Sequence, residues 1–235
     1  MKLEYLYPEL GNLYGDNGNI RYLLASLPGA ELAETHLGDE PAFVSDRDVV
    51  FLYSGSMTER GQGIALEALR PYENALRMRL EDGMHGLFTG NSLELLGTSI
   101  TDGETRLEGL GLVPLTARRS LEKRYNGLFL GNTEDIAIVG FHSRFSHASP
   151  GEGLNGFAAV ERGIGLEEGC AFEGYRLHRL IGTYLLGPVL VLNPLLTQHI
   201  LLSMGLEGEP AFFQEALAAY EARLREFRDK KRKLD

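Results

Sequence analysis

The stretch that most constrains the fold is Gly86-Leu87-Phe88-Thr89-Gly90-Asn91-Ser92-Leu93-Glu94-Leu95-Leu96-Gly97. A short apolar run meets a cluster of small residues, and Leu93, Leu95 and Leu96 follow at helical spacing. That pattern predicts a buried strand, a tight turn and the start of a helix. A strand-turn-helix lifts one residue to the C-terminal edge of a parallel sheet. The helix start behind it offers free N–H groups to an anion or oxyanion. In nucleophile-elbow enzymes the raised residue is Ser or Cys, held at strained backbone angles. Here the apex is Gly90, so the turn of a reactive site is present without its nucleophile.

The rest of the chain supplies partners for that strand. Leu3 to Tyr7 reads as a first strand ended by Pro8, and a polar turn from Gly11 to Asn19 leads into a helix that Asn17 or Asn19 can cap. The turn lacks the Lys-Ser/Thr of a P-loop and the glycine spacing of a dinucleotide fingerprint, so no cofactor is expected there. Asp48 to Tyr53 is a buried strand followed by the loop Ser54-Gly55-Ser56-Met57-Thr58. An amphipathic helix over Ala65–Leu80 is kinked or divided at Pro71. Strand, helix and strand in succession imply a parallel sheet with right-handed crossovers. Residues 98–135 read as a surface excursion. Strands are expected at Ile136–Phe141 and, more weakly patterned, Phe157–Val160, and Leu180–Tyr184 leads into Gly187-Pro188. Helices are expected from Pro194 to Leu202 and from Pro210 to Arg228. With no repeat or linker, one domain over residues 1–235 is expected, closed by a basic C-terminal helix over 210–235.

Charge and cysteine usage narrow the partners. Net charge is −10, which argues against nucleic acid. Residues 222–234 are locally basic, at +5, a sign that suits a helix C-terminus. No apolar run approaches the ~20 residues of a membrane span. Met1 to Tyr7 shows no signal-peptide pattern, so a cytoplasmic protein is expected. The single cysteine, Cys170, excludes an internal disulfide and a multi-cysteine metal site.

Several segments then align, in order, with one family. Tyr7-Pro8-Glu9-Leu10-Gly11-Asn12-Leu13-Tyr14-Gly15-Asp16-Asn17-Gly18-Asn19-Ile20, Gly109-Leu110-Gly111-Leu112-Val113-Pro114, Gly182-Thr183-Tyr184-Leu185-Leu186-Gly187-Pro188 and Asn193-Pro194 carry the likeness. Over roughly residues 3–205 the chain resembles the amidotransferase subunit of lipid II isoglutaminyl synthase. That subunit belongs to the CobB/CobQ-like branch of class I glutamine amidotransferases, which includes cobyric acid synthase domains. The resemblance implies a flavodoxin-like three-layer α/β/α sandwich with a mainly parallel sheet. It also implies glutamine hydrolysis by a Cys–His pair, with ammonia passed to a Mur-ligase-like, ATP-using synthetase in peptidoglycan amidation.

Carried over by residue, the family elbow falls on Gly90 to Gly97, which puts Gly90 at the nucleophile position. The family's Gly-Phe-Glu-Asn-His segment becomes Gly140-Phe141-His142-Ser143-Arg144, with Arg144 at the base position. The His of its Tyr-Leu-His-Gly-Pro segment becomes Leu186. Its glycine-rich oxyanion loop becomes Ser54 to Thr58. The framework matches and the chemical positions do not, so the expected protein is a non-catalytic partner or small-molecule-binding subunit. Gly55, Ser56, Asn91, Ser92 and Arg144 are the expected ligand contacts, and Arg144 would favour a carboxylate or phosphate.

Two alternatives stay open. One is an active amidotransferase, of the lipid II or cobyric acid type, whose only available thiol is Cys170. The acidic residues beside Cys170 would raise its pKa rather than activate it. The other is a hydrolase with Ser92 as nucleophile and His142 or His147 as base, although Glu94 replaces the last glycine of that motif. Ser92 can equally serve as a helix cap. His142 and His147 are five residues apart on an expected loop, and would hold a metal only if a carboxylate converged on them.

Overall fold

The computed structural model describes residues 1–122, 124–229 and 231. In chain order, β1 (Lys2–Leu6) leads through α1 (Gly18–Ala25) to β2 (Glu31–Thr35) and β3 (Val49–Ser54). Next come α2 (Glu59–Leu69), α3 (Glu73–Glu81) and β4 (His85–Thr89). Pro71 sits in a 3-10 turn between α2 and α3, so the helix expected over 65–80 is two helices. After Gly90–Leu96 come β5 (Ser99–Asp102), β6 (Thr105–Glu108), β7 (Leu115–Arg119) and β8 (Tyr125–Thr133). β9 (Ile136–Arg144), β10 (Ser146–Pro150), β11 (Asn155–Arg162), β12 (Phe172–Leu177) and β13 (Leu180–Thr183) follow. The chain then forms α4 (Val189–Leu192), α5 (Pro194–Ser203) and α6 (Phe213–Arg228). The helix expected over 210–235 is thus α6, and part of the basic tail lies outside the described residues.

Among the described residues the larger sheet runs β2-β1-β3-β4-β13-β12-β11-β8-β9. The five strands from β2 to β13 pair in parallel, and from β13 to β9 every pairing is antiparallel. A second sheet runs β10-β7-β5-β6. Residues 98–135 are therefore mostly strand rather than an irregular surface excursion.

Side chains alternate across the large sheet, as pleating requires. Leu3, Tyr5, Phe51, Tyr53 and Leu87 pack with Ile20, Leu23, Val189 and Leu196 on the face of α1, α4 and α5. Leu6, Leu52 and Phe88 pack with Leu66, Leu76, Leu80 and Leu93 on the opposite face. This is the flavodoxin-like α/β/α arrangement that the resemblance implied. Among the described residues no helix is long and apolar enough to cross a membrane.

Asn193, which precedes Pro194, is fully buried and ties α4 to β9. Its Oδ1 accepts from Val139 N at 2.8 Å, and its Nδ2 donates to the carbonyls of Val139 and Val189, each at 2.8 Å. An orphaned buried polar group costs roughly 1–3 kcal/mol. Asn193→Ala orphans the Val139 pair, so urea unfolding should show a loss of at least about 2 kcal/mol. A loss too small to measure would mean that water or a rearranged backbone replaces the amide.

Candidate functional site

The cleft forms where β3 and β4 end. Gly90 follows β4 directly at φ +57, the left-handed region, at the apex of the turn. The helix behind it is a 3-10 turn over Gly90–Leu96 rather than the expected α-helix. A Cβ built on Gly90 would lie 2.5 Å from Ser56 Cβ and 2.6 Å from Ser56 Oγ. Glycine is required here twice: for its backbone angle, and because Ser56 fills the space of any side chain.

Ser56 is held there by a buried carboxylate. Asp16 Oδ2 accepts from Ser56 N at 2.9 Å and from the Thr89 hydroxyl, while Oδ1 accepts from Asn19 Nδ2 at 2.9 Å. The Tyr53 hydroxyl donates to the Asp16 carbonyl at 2.6 Å. Burial pushes the Asp16 pKa up to about 6, against the pull of these hydrogen bonds. Asn19 belongs to this network and also receives Leu190 N, so it is not a helix cap, and Asn17 makes no side-chain cap bond.

The loop after β3 is committed internally. Met57 N donates to Asn91 Oδ1 at 3.0 Å, so the amide groups of both Ser56 and Met57 are occupied within the protein. Gly55 does not line the cleft. It is pressed on Gly11, whose carbonyl oxygen would lie 2.0 Å from an added Cβ. Ser56 and Asn91 do line the cleft, which has a volume of about 100 Å³, together with Tyr14, Gly90, Arg124, Arg144, Tyr184 and Leu186.

Ser92 lies outside the cleft lining, fully buried, and its hydroxyl reaches the carbonyls of Thr89 at 2.7 Å and Ser54 at 2.9 Å. It therefore bonds carbonyls rather than capping N–H groups. His142 and His147 lie on consecutive strands of different sheets, β9 and β10, not on a loop. His142 is buried beside the rings of Tyr125 and Phe129, and neither ring nitrogen meets a hydrogen-bond partner. Burial and the Arg144 charge hold its pKa well below the usual value, with a backbone interaction from Ile164 acting the other way. His147 pairs in register with Arg118 of β7 and is not part of the cleft wall. Cys170 packs half-buried against the apolar core, also away from the cleft. Among the described residues no group of three or more His, Cys, Asp or Glu is placed to hold a metal.

Arg144 is 6% exposed and donates to the carbonyls of Gly165 at 2.7 Å and Leu166 at 2.8 Å. Its guanidinium lies 3.9 Å from the Tyr184 ring centroid. The Tyr184 hydroxyl donates to Glu94 Oε1 at 2.8 Å, and Gln62 Nε2 donates to Glu94 Oε2 at 2.8 Å. Burial raises the Glu94 pKa, and it raises that of Glu173 to about 7, where Thr183 and the Tyr184 amide are the partners. Asp16, Glu94 and Glu173 were not singled out from the sequence as site residues. A charged Glu94 inside Leu93-Glu94-Leu95-Leu96 was the available signal for one of them.

A sheet with parallel strands ending at this turn and cleft has the fold of the glutamine amidotransferases. A solved glutamine amidotransferase covers 86% of this chain and 99% of its own at TM-score 0.55 and 16% identity. The PurLQS structure from Thermotoga maritima covers 95% and 98% at TM-score 0.57 and 11% identity. In sequence the chain is similar to the lipid II isoglutaminyl synthase (glutamine-hydrolyzing) subunit GatD of two bacteria. The Staphylococcus aureus subunit is 29% identical over 194 residues, 81% of this chain and 78% of the relative. The Streptococcus pneumoniae subunit is 25% identical over 199 residues, 82% and 76% respectively. No family model matches the chain.

Asp16 sets a pH dependence. Its folded pKa of about 6 lies above its unfolded value, so its contribution to stability is greatest below about 4 and is lost as pH rises through 6. Wild type should therefore gain on Asp16→Asn by roughly 2 kcal/mol between neutral pH and pH ~4, at 1.36 kcal/mol per unit. Chemical denaturation of both proteins across that range measures it; parallel pH curves would contradict the assignment.

Proposed function

We propose that this chain is an amidotransferase-fold subunit, a single domain over residues 1–235, that has lost glutamine hydrolysis. It serves as the non-catalytic partner of a Mur-ligase-like synthetase in peptidoglycan amidation, and its cleft holds a small molecule. The observation that carries this reading is the contact between Gly90 and Ser56, which leaves no room for a side chain at the apex. Acyl transfer needs a nucleophile, a base and oxyanion donors. At the first position stands Gly90. At the positions that align with family histidines stand Arg144, committed to two carbonyls, and Leu186. The Ser56 and Met57 amides, in the segment aligned with the oxyanion loop, donate to Asp16 and Asn91.

Ser92 is disfavoured as a substitute nucleophile because its hydroxyl is buried on two carbonyls. Cys170 is disfavoured because it lies away from the cleft. A ligand in the cleft would meet Asn91 and the Arg124 and Arg144 side chains, which favours a carboxylate or phosphate over a neutral amide.

Incubation with glutamine, alone and with the co-purified synthetase, should release ammonia at the rate of a protein-free control. Faster release that needs this chain would overturn the reading, and its loss in Ser92→Ala or Cys170→Ala would name the nucleophile. Co-purification from the native host should recover a ligase-like protein; repeated failure would remove the docking role.

The apex contact is tested separately. Gly90→Ala should destabilise by about 1–3 kcal/mol, from the positive φ and the overlap with Ser56. Ser56→Gly in the same chain should recover part of that loss in a double-mutant cycle. Additive effects would show that the two positions do not touch.

A further inference from the structure

A second cavity, of about 240 Å³, opens at the other end of β3 and β4, beside Val49 and His85. These residues begin the two strands, so the cavity lies at their N-terminal edge, away from the crevice where α/β sheets bind their ligands. Three arginines line it, Arg47, Arg79 and Arg179, against one acid, Asp82. Arg47 pairs with Asp82 at 3.0 Å, and both side chains are well exposed. Two guanidinium charges therefore line the cavity in excess of its acids. The chain as a whole is −10, so this is a local reversal of sign rather than part of a basic surface.

Arg79 is 8% exposed, donates to the Val49 carbonyl, and has an Nε with no partner. Among the described residues no carboxylate lies within ion-pair distance of it, and Asp82, Asp46 and Glu4 act on its charge only from further away. A buried cation held by a carbonyl is costly, and an arriving anion would reduce that cost. Arg179 sits on the two-residue turn between β12 and β13, where His178 adopts φ +52, and its Nη1 reaches the Ser203 carbonyl only at 3.5 Å. His85, buried and 2.9 Å from Ser203 Oγ, adds a polar ring to the wall. Guanidinium forks match the oxygens of a phosphoryl group, and the cavity has room for one with a small substituent.

We propose that this cavity binds a phosphoryl oxyanion, either inorganic phosphate or the head of a small phosphate monoester. Arg79 and Arg179 supply the charge, and Arg47 adds to it from its exposed pair with Asp82. The proposal is independent of the reading of the cleft.

Thermal unfolding of the full chain at neutral pH tests it, with phosphate titrated against sodium chloride at matched ionic strength. Phosphate should raise Tm saturably by about 2–4 °C beyond chloride. Arg179→Ala, a change at an exposed side chain, should abolish most of that rise. Arg106→Ala, at an exposed arginine that lines neither cavity, should leave it intact. Glycerol 3-phosphate separates the sources. A larger shift than phosphate gives at equal concentration assigns a monoester, and an equal or smaller one assigns the free ion; both uphold the site. Equal shifts with phosphate and chloride, a full response in Arg179→Ala, or a lost response in Arg106→Ala would overturn it.

Discussion

The geometry of the cleft depends on the burial of the Asp16 carboxylate. That group receives bonds from Asn19 in α1, from the Ser56 amide in the loop after β3, and from Thr89 at the end of β4. Three separate chain segments thus converge on one pair of oxygens. Burying a carboxylate is unfavourable unless its lone pairs are filled, and here the filling groups are those that shape the floor of the cleft. Ser56 is seated against Gly90 as a consequence, and the Ser56 and Met57 amides are committed to Asp16 and Asn91.

Much of the parallel half was legible in the sequence because its strands are apolar and buried. Val49–Ser54 and His85–Thr89 carry near-continuous hydrophobic runs, and Gly90 falls at the turn where the spacing placed it. The antiparallel strands were harder to read for a physical reason. Thr105–Glu108 is largely exposed and polar, so its strand character comes from pairing with Ser99–Asp102 and not from burial. Asp102-Gly103 was a readable hairpin signal there. The turns at Glu134 and His178 carry no such signal, since both residues reach positive φ without being Gly or Asn.

The site was legible in outline and not in detail. Gly90, Asn91, Arg144 and Leu186, each singled out from the sequence, line one cleft. Gly55 was also expected among ligand contacts, whereas that glycine serves a backbone contact with Gly11. What no spacing could reveal was the state of the polar groups. Whether Ser92 reaches a carbonyl or a ligand, and whether His142 faces solvent or two aromatic rings, depends on packing between segments far apart in the chain.

The fit between positions 56 and 90 also limits how the chain can change over generations. A codon change that placed a side chain at position 90 would meet Ser56 first, and the molecule would lose stability. A smaller residue at position 56 would have to come earlier, when it confers no chemical advantage. The two positions are thus interlocked: neither is free to vary without regard to the other.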